Sequence, residues 1–368
     1  MNGSVQGRES RAWVEVSLAA VVENARAVAR VAGTRLLPVV KANAYGVGAV
    51  AVSKALEAVD PLGYCVATID EGIELRAAGI ARPVLVFLPA RPDLIDAYQV
   101  HRLTPALGDR ATIQSWIARQ AGRGAGGGSP FHLEIDTGMS RSGVRWDEIE
   151  PIVDLLDTPY LEGCYTHFHS ADRRDGSAEA QLERFQAAVG RLPRRPRLLH
   201  VANSAAALRG KAFALDAIRP GIALYGASAG EASPIGKPVI TLRARVVSVR
   251  TLRRGESVSY NASWTAPRDT TVATLAIGYA DGVRRSLGLR GEATVLLNGG
   301  RCPVVGLVTM DLTMVEVPHG RAAVGDIATL VGEADGLNNT LDQFAGWSGV
   351  IPHELLAGLG PRLPRIYD

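Results

Sequence analysis

The sequence predicts an α/β protein in which an N-terminal (β/α)8 barrel of the TIM type precedes a mostly β C-terminal domain. The 368 residues exceed the length at which one hydrophobic core stops growing, so we expect two domains. Short apolar runs alternate with helical patterns through the first two thirds of the chain, and beyond about residue 240 strand-like runs are joined by Gly and Asn turns. We predict the barrel over 10–232 and the β domain over 233–368, with the boundary in the loop 226–238.

Eight short apolar runs are the candidate barrel strands, and amphipathic stretches separate several of them. The candidates are 36–40, 63–68, 84–88, 103–107, 132–136, 164–168, 198–202 and 222–226, the last approached from Ala217. The glycine-rich stretch 121–129 precedes a strand, whereas a phosphate-binding glycine loop leads into a helix. We therefore interpret this stretch as a barrel loop.

Composition and charge indicate a soluble protein without a nucleic-acid or membrane partner. The 40 basic and 37 acidic residues nearly cancel, and 47% of the residues are apolar. The three cysteines are widely separated and odd in number, which favours a reducing compartment over a disulfide framework. The polar N-terminus lacks the apolar segment of a signal peptide, so we expect a cytoplasmic protein. The histidines show no metal-ligand spacing, and we expect no metal.

Lys41 is the main candidate for chemistry, because the functional residues of such barrels lie at the C-terminal ends of the strands and Lys41 directly follows the first one. A partly desolvated lysine has a lowered pKa, which suits formation of a Schiff base with a carbonyl group. From its position alone, a solvated lysine at a strand end fits equally well. The same rule selects further residues near the barrel mouth: Tyr45, Asp136, Arg141, His167, His169, Asn203, Ser204, Arg219, Gly221 and Ile222.

The loops after the last two strands are the usual place for a phosphate group in such a barrel. Asn203 and Ser204 offer side-chain donors there, and Gly221 allows backbone N–H groups to approach an anion. Taken alone, these residues are ordinary turn formers. A lysine at the mouth combined with a phosphate site is the arrangement that pyridoxal phosphate requires.

Several longer motifs resemble those of the alanine racemase family, in the same order and over nearly the whole chain. They are PVVKANAYG (38–46), VATIDEGIELRAAG (66–79), IDTGMSRSG (135–143), THFHSAD (166–172), RPGIALYG (219–226), SYNASW (259–264), IGYADG (277–282) and TMD (309–311). The resemblance implies an isomerase that uses pyridoxal 5'-phosphate to interconvert L- and D-alanine, supplying D-alanine for cell-wall synthesis or a related pathway. It also implies a homodimer with shared active sites.

The resemblance implies two catalytic bases. The lysine matching Lys41 carries the cofactor and exchanges the α-proton on the D-side, and the tyrosine matching Tyr260 removes the proton of L-alanine from the neighbouring subunit. Racemisation through a planar carbanion needs one base on each face. Because lysine and tyrosine both have ordinary pKa values near 10, both pKa values must be lowered for these roles.

The resemblance also implies a set of cofactor ligands. The phosphate contacts are expected from Tyr45, Ser204, Gly221 and Ile222, with Asn203 beside them.

Five further positions complete the site that the resemblance implies. Arg219 is expected at the pyridine nitrogen, and His167 is expected to link this arginine towards the catalytic tyrosine. Arg141 and the N–H of Met310 should meet the substrate carboxylate, and Tyr279 should line the access channel.

The chain departs from the family pattern at five positions. Glu134 replaces a lysine that is often carbamylated, and we expect its charge to orient Arg141 in place of the carbamate. His353 replaces a tyrosine that helps with phosphate and the inner access channel. Val47, Asn261 and Leu307 stand where histidine, glycine and arginine are usual.

Three alternatives remain open at this point. The first is a racemase for another amino acid or a broader range of them. The others are a pyridoxal-phosphate decarboxylase and a non-catalytic pyridoxal-phosphate-binding protein. Arg219 and the SYNASW and TMD motifs argue against the last two, because the decarboxylases have an acidic group at the pyridine nitrogen and the binding proteins lack the β domain.

Overall fold

The structure is a computed structural model that describes residues 9–120, 128–230 and 236–368. Most of the glycine-rich stretch 121–129 and part of the predicted boundary loop 226–238 lie outside the described residues.

The first part of the chain alternates strands and helices. Its strands are β1 (Ala12–Val16), β2 (Arg35–Leu36), β3 (Tyr64–Val66), β4 (Val84–Val86), β5 (Thr104–Leu107), β6 (Phe131–Asp136), β7 (Val144–Arg145), β8 (Leu161–Tyr165), β9 (Leu198–His200) and β10 (Ala217–Ile218). Its α-helices are α1 (Leu18–Ala32), α2 (Ala49–Leu56), α3 (Ile69–Ala77), α4 (Ile95–Val100), α5 (Arg110–Gln120), α6 (Val153–Leu156), α7 (Ser177–Val189) and α8 (Ser204–Leu208). Short 3-10 helices lie at Glu57–Val59, Pro92–Leu94, Glu150–Ile152, Lys211–Phe213 and Ile222–Tyr225.

Among the described residues, eight parallel strands close into a barrel. The strands β3, β4, β5, β6, β8 and β9 form one sheet in that order, and β10 pairs in parallel with β2. A parallel bridge between Val39 and Cys65 joins the chain after β2 to β3. On the other side, the N–H of Asp216 donates to the carbonyl of Leu199 at 3.0 Å and joins β10 to β9. The predicted fold class is therefore confirmed.

The last barrel strand differs from its sequence prediction. Residues 222–226 are not a strand, because Ile222–Tyr225 form a 3-10 helix, and the strand is the preceding pair Ala217–Ile218. Pro220 has no N–H to donate to a strand ladder, and Gly221 turns the chain away from the sheet at φ −119° and ψ −91°. The apolar run 222–226 is therefore buried as a turn at the barrel mouth.

The interior of the barrel contains polar side chains. Phe131, Leu133 and Ile135 of β6 belong to the main core, which includes the barrel helices. Because side chains alternate along a strand, His132 and Glu134 point into the barrel, and both are buried.

The second part of the chain is mostly β-sheet. Its strands are β11 (Ile240–Leu252), β12 (Ser257–Val258), β13 (Trp264–Thr265), β14 (Thr270–Leu275), β15 (Thr294–Leu297), β16 (Gly300–Pro303), β17 (Thr313–Glu316), β18 (Ile327–Ala334), β19 (Leu337–Asn339) and β20 (Arg365–Tyr367). Its helices are α9 (Leu341–Ser348) and α10 (Pro352–Ala357), with 3-10 helices at Tyr260–Ala262, Tyr279–Asp281 and Leu287–Leu289.

The long strand β11 is the centre of this sheet. It pairs with β14 and β18 and also with β1, which lies inside the stretch 10–232 that we expected to form the barrel. The strand β1 is also paired with β20, so both ends of the described chain meet in the C-terminal sheet. In the part of the chain that the structure describes, no helix has the length and apolar character needed to cross a membrane.

Candidate active site

Lys41 begins a left-handed turn at the barrel mouth. Ala42, Asn43, Ala44 and Tyr45 all have positive φ angles between 52° and 56°. Such a conformation costs roughly 1–2 kcal/mol per residue for L-amino acids, so the surroundings must hold it. Glu71 accepts a hydrogen bond from the N–H of Ala42 at 2.6 Å, and the side chain of Asn43 accepts one from the N–H of Ala49 at 2.8 Å.

The cavity at the barrel mouth has a volume of about 780 Å³. It is lined by every barrel residue that the sequence predicted to bind the cofactor or the substrate. Glu134 and His353, two of the positions that depart from the family pattern, also line it. These residues are Lys41, Tyr45, Glu134, Arg141, His167, Asn203, Ser204, Arg219, Gly221, Ile222 and His353. Within the described ranges, no group of three or more His, Cys, Asp or Glu side chains could hold a metal ion.

Lys41 has the electrostatic character expected of a reactive amine. Burial lowers its pKa, and the nearby guanidinium of Arg141 lowers it further. A lysine with a lowered pKa is more often neutral near physiological pH, which both attack on a carbonyl and abstraction of a proton require.

One end of the cavity offers a cradle for an anion. The hydroxyl of Ser204 accepts hydrogen bonds from the N–H groups of Gly221 at 2.9 Å and Ala223 at 3.2 Å. The N–H of Ile222, between them, has no hydrogen-bond partner among the described residues. A Cβ atom at Gly221 would lie 2.3 Å from the hydroxyl oxygen of Tyr45, so only glycine fits beside this tyrosine. Backbone and hydroxyl donors that converge in this way fit a phosphate group.

Asn203 has a structural role in this cradle. Its side chain caps α8 by accepting a hydrogen bond from the N–H of Ala206 at 3.0 Å. The ring of Tyr45 packs against Tyr225 with centroids 4.8 Å apart, and the centroid of the His353 ring lies 5.8 Å from that of Tyr45. His353 therefore lies beside the cradle, at the position where the family pattern has a tyrosine.

Arg219 is buried inside the barrel at the wall of the cavity, with 3% of its surface exposed. One Nη atom donates to Nδ1 of His200 at 2.8 Å, and the other donates to the carbonyl of Thr166, also at 2.8 Å. Its guanidinium lies over the ring of Tyr165, with Cζ 5.0 Å from the ring centroid. These contacts hold the arginine in one orientation.

His200 is the histidine in direct contact with Arg219, and the sequence did not select it. His167 lies in the same cavity, where burial, with repulsion from Arg219, Arg141 and Lys41, lowers its pKa to about 3. The sequence gives His200 no role as a metal ligand, because its spacing from the other histidines does not fit a metal site. The alternation of side chains along β9, which puts His200 inside the barrel, was the signal that could have found it.

Glu134 lies on the cavity wall beside the predicted carboxylate site. It is 6% exposed, and its carboxylate accepts a hydrogen bond from the hydroxyl of Ser142 at 2.9 Å. Burial raises its pKa, and the contacts with Ser142 and the charge of Arg141 act in the opposite direction. Asp136 fixes the loop that carries Arg141, because its side chain accepts from the N–H groups of Gly138 and Ser140 at 2.9 and 3.0 Å.

Tyr260, Tyr279 and Met310 do not line the cavity of their own chain. Their side chains are exposed at 61%, 40% and 53% on the C-terminal domain. The loops that carry them are joined, because Ser259 donates to the carbonyl of Leu307 at 2.6 Å and the N–H of Tyr279 donates to the carbonyl of Thr309 at 2.9 Å. The three residues therefore form one exposed surface.

The backbone around Tyr260 explains one departure from the family pattern. Asn261 has φ 61° and ψ 20°, a left-handed conformation that favours glycine but that asparagine tolerates better than most residues. Replacement of the usual glycine by asparagine therefore preserves the turn.

The fold and the site define a two-domain barrel enzyme of the type that holds pyridoxal phosphate, with a lysine and an anion cradle in one cavity at the barrel mouth. The N-terminal domain pattern of alanine racemases matches residues 16–229, and their C-terminal domain pattern matches residues 239–367. The chain belongs to the alanine racemase family.

Individual relatives resemble the chain over their whole length. The alanine racemase of Carboxydothermus hydrogenoformans is 39% identical over 367 residues, which cover 96% of this chain and 99% of that protein. The crystal structure of the alanine racemase from E. faecalis matches with a TM-score of 0.91 and 32% identity, over 98% of this chain and 99% of that one. The Bartonella henselae alanine racemase, with covalently bound pyridoxal phosphate, matches with a TM-score of 0.89 and 30% identity, over 98% and 100% of the two chains.

Proposed function

We propose that this protein is an isomerase that interconverts L- and D-alanine with pyridoxal 5'-phosphate as its cofactor. The observation that carries the proposal is that Lys41, the cradle at Ser204 and Gly221, and the buried Arg219 share one cavity. When bound, the cofactor supplies the electron sink that allows an α-proton to leave an amino acid. The matched family and the covalently bound pyridoxal phosphate in the Bartonella henselae relative support this choice of cofactor.

Lys41 is the proposed attachment point of the cofactor and the base on one face of the substrate. The phosphate would be held by Tyr45, Ser204, Gly221 and Ile222, which line the same cavity as Lys41. Such a two-point hold would orient the bound molecule relative to Lys41, and correct positioning of a base is one of the ways in which a protein lowers a reaction barrier.

Arg219 and Arg141 are the proposed cationic contacts of the bound molecules. Arg219 cannot give up its proton to the pyridine nitrogen, because a guanidinium remains charged in proteins. With the cofactor bound, Arg219 would therefore leave that nitrogen unprotonated, which would weaken the electron sink and disfavour side reactions such as transamination. Arg141, at the cavity wall, binds the substrate carboxylate.

The second base is proposed to be Tyr260 of a second subunit, in a homodimer with shared sites. Tyr260, Tyr279 and Met310 are exposed together and lie outside the cavity, which is the arrangement expected of residues that complete a partner's site. In this proposal His167 links the tyrosine to Arg219, and Tyr279 lines the access channel. The C-terminal domain, proposed to span 233–368, thus completes the barrel of its neighbour.

Mixing two inactive variants tests the shared site. Lys41→Ala and Tyr260→Phe each disable both sites of their own homodimer, but a hybrid dimer has one site with both bases intact. Random exchange of subunits should restore about a quarter of the wild-type activity, since half of the dimers are hybrids and each has one working site. If subunit exchange is demonstrated by mass spectrometry and no activity returns, each site belongs to a single chain.

Chiral chromatography of reactions with each L-amino acid tests the substrate. We expect alanine to have the highest kcat/KM. A higher value for another amino acid would make the protein a racemase of that substrate, and release of CO₂ would indicate the decarboxylase alternative.

We further propose a cytoplasmic location and a role in supplying D-alanine for the cell wall. Rescue of a bacterial strain that requires external D-alanine tests this role. A Lys41→Ala variant is the control, and growth with that variant would contradict the proposal.

A further inference from the structure

Two buried histidines form a column behind Arg219 along the inside of the barrel. His200 on β9 is fully buried, and His132 on β6 is 4% exposed. Nδ1 of His132 lies 2.8 Å from Nε2 of His200, and Nδ1 of His200 lies 2.8 Å from an Nη atom of Arg219. The three side chains are thus connected by two short polar contacts, and neither contact involves a carboxylate.

The chemistry of arginine determines the direction of both hydrogen bonds. A guanidinium has only donors, so Nδ1 of His200 must be an unprotonated acceptor. A neutral imidazole then carries its proton on Nε2, and His200 must donate from there to Nδ1 of His132. His132 in turn accepts at Nδ1 and must also be neutral, with its proton on Nε2.

The far end of the column reaches the floor of the barrel. Nε2 of His132 lies 3.6 Å from a carboxylate oxygen of Glu162, and Glu162 is also ion-paired with Arg197. A cavity of about 230 Å³ at this floor is lined by His132, Glu162 and Arg197. The proton on Nε2 of His132 therefore faces the carboxylate of Glu162. This carboxylate is partly exposed, at the end of the barrel opposite Lys41.

The neighbouring strand leaves room for His132 in this position. Gly163 on β8 is paired with His132 across the sheet, and a Cβ atom there would lie 2.6 Å from the imidazole ring. The ring of Tyr165 stacks on His200 with an interplanar angle of 10° and centroids 5.2 Å apart. Packing on both rings limits their rotation, so the column is held in the orientation that the hydrogen bonds require.

We propose that His132 is a positioning residue for Arg219, acting through His200, with Glu162 orienting the proton of His132. By accepting the Nε2 proton of His200, His132 keeps Nδ1 of His200 free as an acceptor for the guanidinium. Without His132, a proton on Nε2 of His200 has no hydrogen-bond acceptor. The other neutral tautomer of His200, with its proton on Nδ1, cannot accept a hydrogen bond from Arg219. The role of Arg219 at the cofactor rests on the proposed function, but the proton positions follow from the contacts of this chain alone.

Nitrogen-15 NMR of histidine-labelled protein tests the column directly. We expect His132 and His200 each to show a protonated Nε2 and an unprotonated Nδ1, in the full-length protein with cofactor and again without it. A protonated Nδ1 on either residue in the wild type would overturn the proposal. Because this measurement needs no turnover, it stands or fails separately from the racemase assignment.

Two substitutions separate positioning from simple packing. His132→Leu removes the acceptor, whereas in His132→Asn the amide oxygen can take the place of Nδ1. We expect the leucine variant to change the ¹⁵N shifts of His200 and to lower kcat about 3–10-fold with little change in KM, as expected for one buried hydrogen bond. The asparagine variant should retain the His200 shifts and most of kcat.

A matched control is His101→Leu, at a histidine that follows α4 and lies outside the column. It should leave both the His200 shifts and kcat unchanged. Unchanged His200 shifts in His132→Leu, or equal changes in all three variants, would mean that His132 only fills space. If the leucine variant does not fold, the wild-type spectrum and the asparagine variant still decide the question.

Discussion

The imidazole of His167 should make the protein less stable as the pH falls below about 6.5, the ordinary pKa of histidine in an unfolded chain. In the folded chain, burial lowers the pKa of His167 to about 3, and the charges of Arg219, Arg141 and Lys41 contribute in the same direction. Between these two values the unfolded chain binds more protons than the folded chain. The stability due to this group is therefore fully present above pH 6.5 and is lost progressively as the pH falls towards 3.

The size of the effect at pH 5 follows from the two pKa values. A pH of 5 lies about 1.5 units below the pKa of histidine in the unfolded chain, and each unit corresponds to about 1.4 kcal/mol. His167 should therefore lower the free energy of unfolding by about 2 kcal/mol at pH 5 relative to pH 8. The folded pKa of about 3 is far enough below pH 5 to leave this value unaffected by its precise position.

Urea unfolding of the cofactor-free protein measures this effect. The free energy of unfolding of wild type and His167→Asn should be compared at pH 8 and pH 5, at one protein concentration because the stability of the proposed dimer would depend on it. The wild type should lose about 2 kcal/mol more than the variant, since the asparagine cannot take up a proton. His169→Asn, at an exposed neighbour, should behave like the wild type. Equal pH dependence in wild type and His167→Asn would refute the lowered pKa.

Three further predictions concern the proposed reaction. Lys41→Ala should abolish the visible absorption of a cofactor Schiff base, and a reducible cofactor linkage that persists in this variant would contradict the assignment. Tyr260→Phe should lower abstraction of the α-proton from L-alanine by about 10²–10⁴-fold while exchange from D-alanine with solvent deuterium persists, because Lys41 serves the other face; equal loss from both enantiomers would indicate a single base. Glu134→Gln should raise KM for alanine about tenfold and change kcat less, since it removes the charge beside Arg141 but keeps an acceptor for Ser142, as expected for a hydrogen-bonded charge. Added bicarbonate should leave the wild type unaffected, and wild-type kinetics for Glu134→Gln would make this residue structural.

The amino-acid sequence by itself predicted the barrel, the sheet-rich C-terminal part and the barrel residues of the cavity. This was possible because a barrel strand is a local apolar run, and the residue that follows it lies at the barrel mouth in any closed parallel arrangement. Lys41 is the clearest case, since its position after the first apolar run was enough to bring it to the cavity that also contains Ser204 and Arg219.

Other features depended on contacts between residues far apart in the chain. The pairing of β1 with β11 joins Ala12 to Ala244, and no local pattern near either residue specifies this partner. The left-handed turn after Lys41 is unfavourable for its own residues and is held by Glu71, which belongs to α3, the helix that follows the neighbouring barrel strand β3. Local preference therefore predicted neither feature.

The histidine column shows the same division most directly. The sequence determined that β6 and β9 each carry one histidine on the barrel side, as the alternation of side chains requires. Only the closed barrel placed His132 2.8 Å from His200 and His200 2.8 Å from Arg219. The proton positions then followed, because a guanidinium that can only donate leaves each of the two neutral imidazoles one arrangement of its proton that satisfies both contacts.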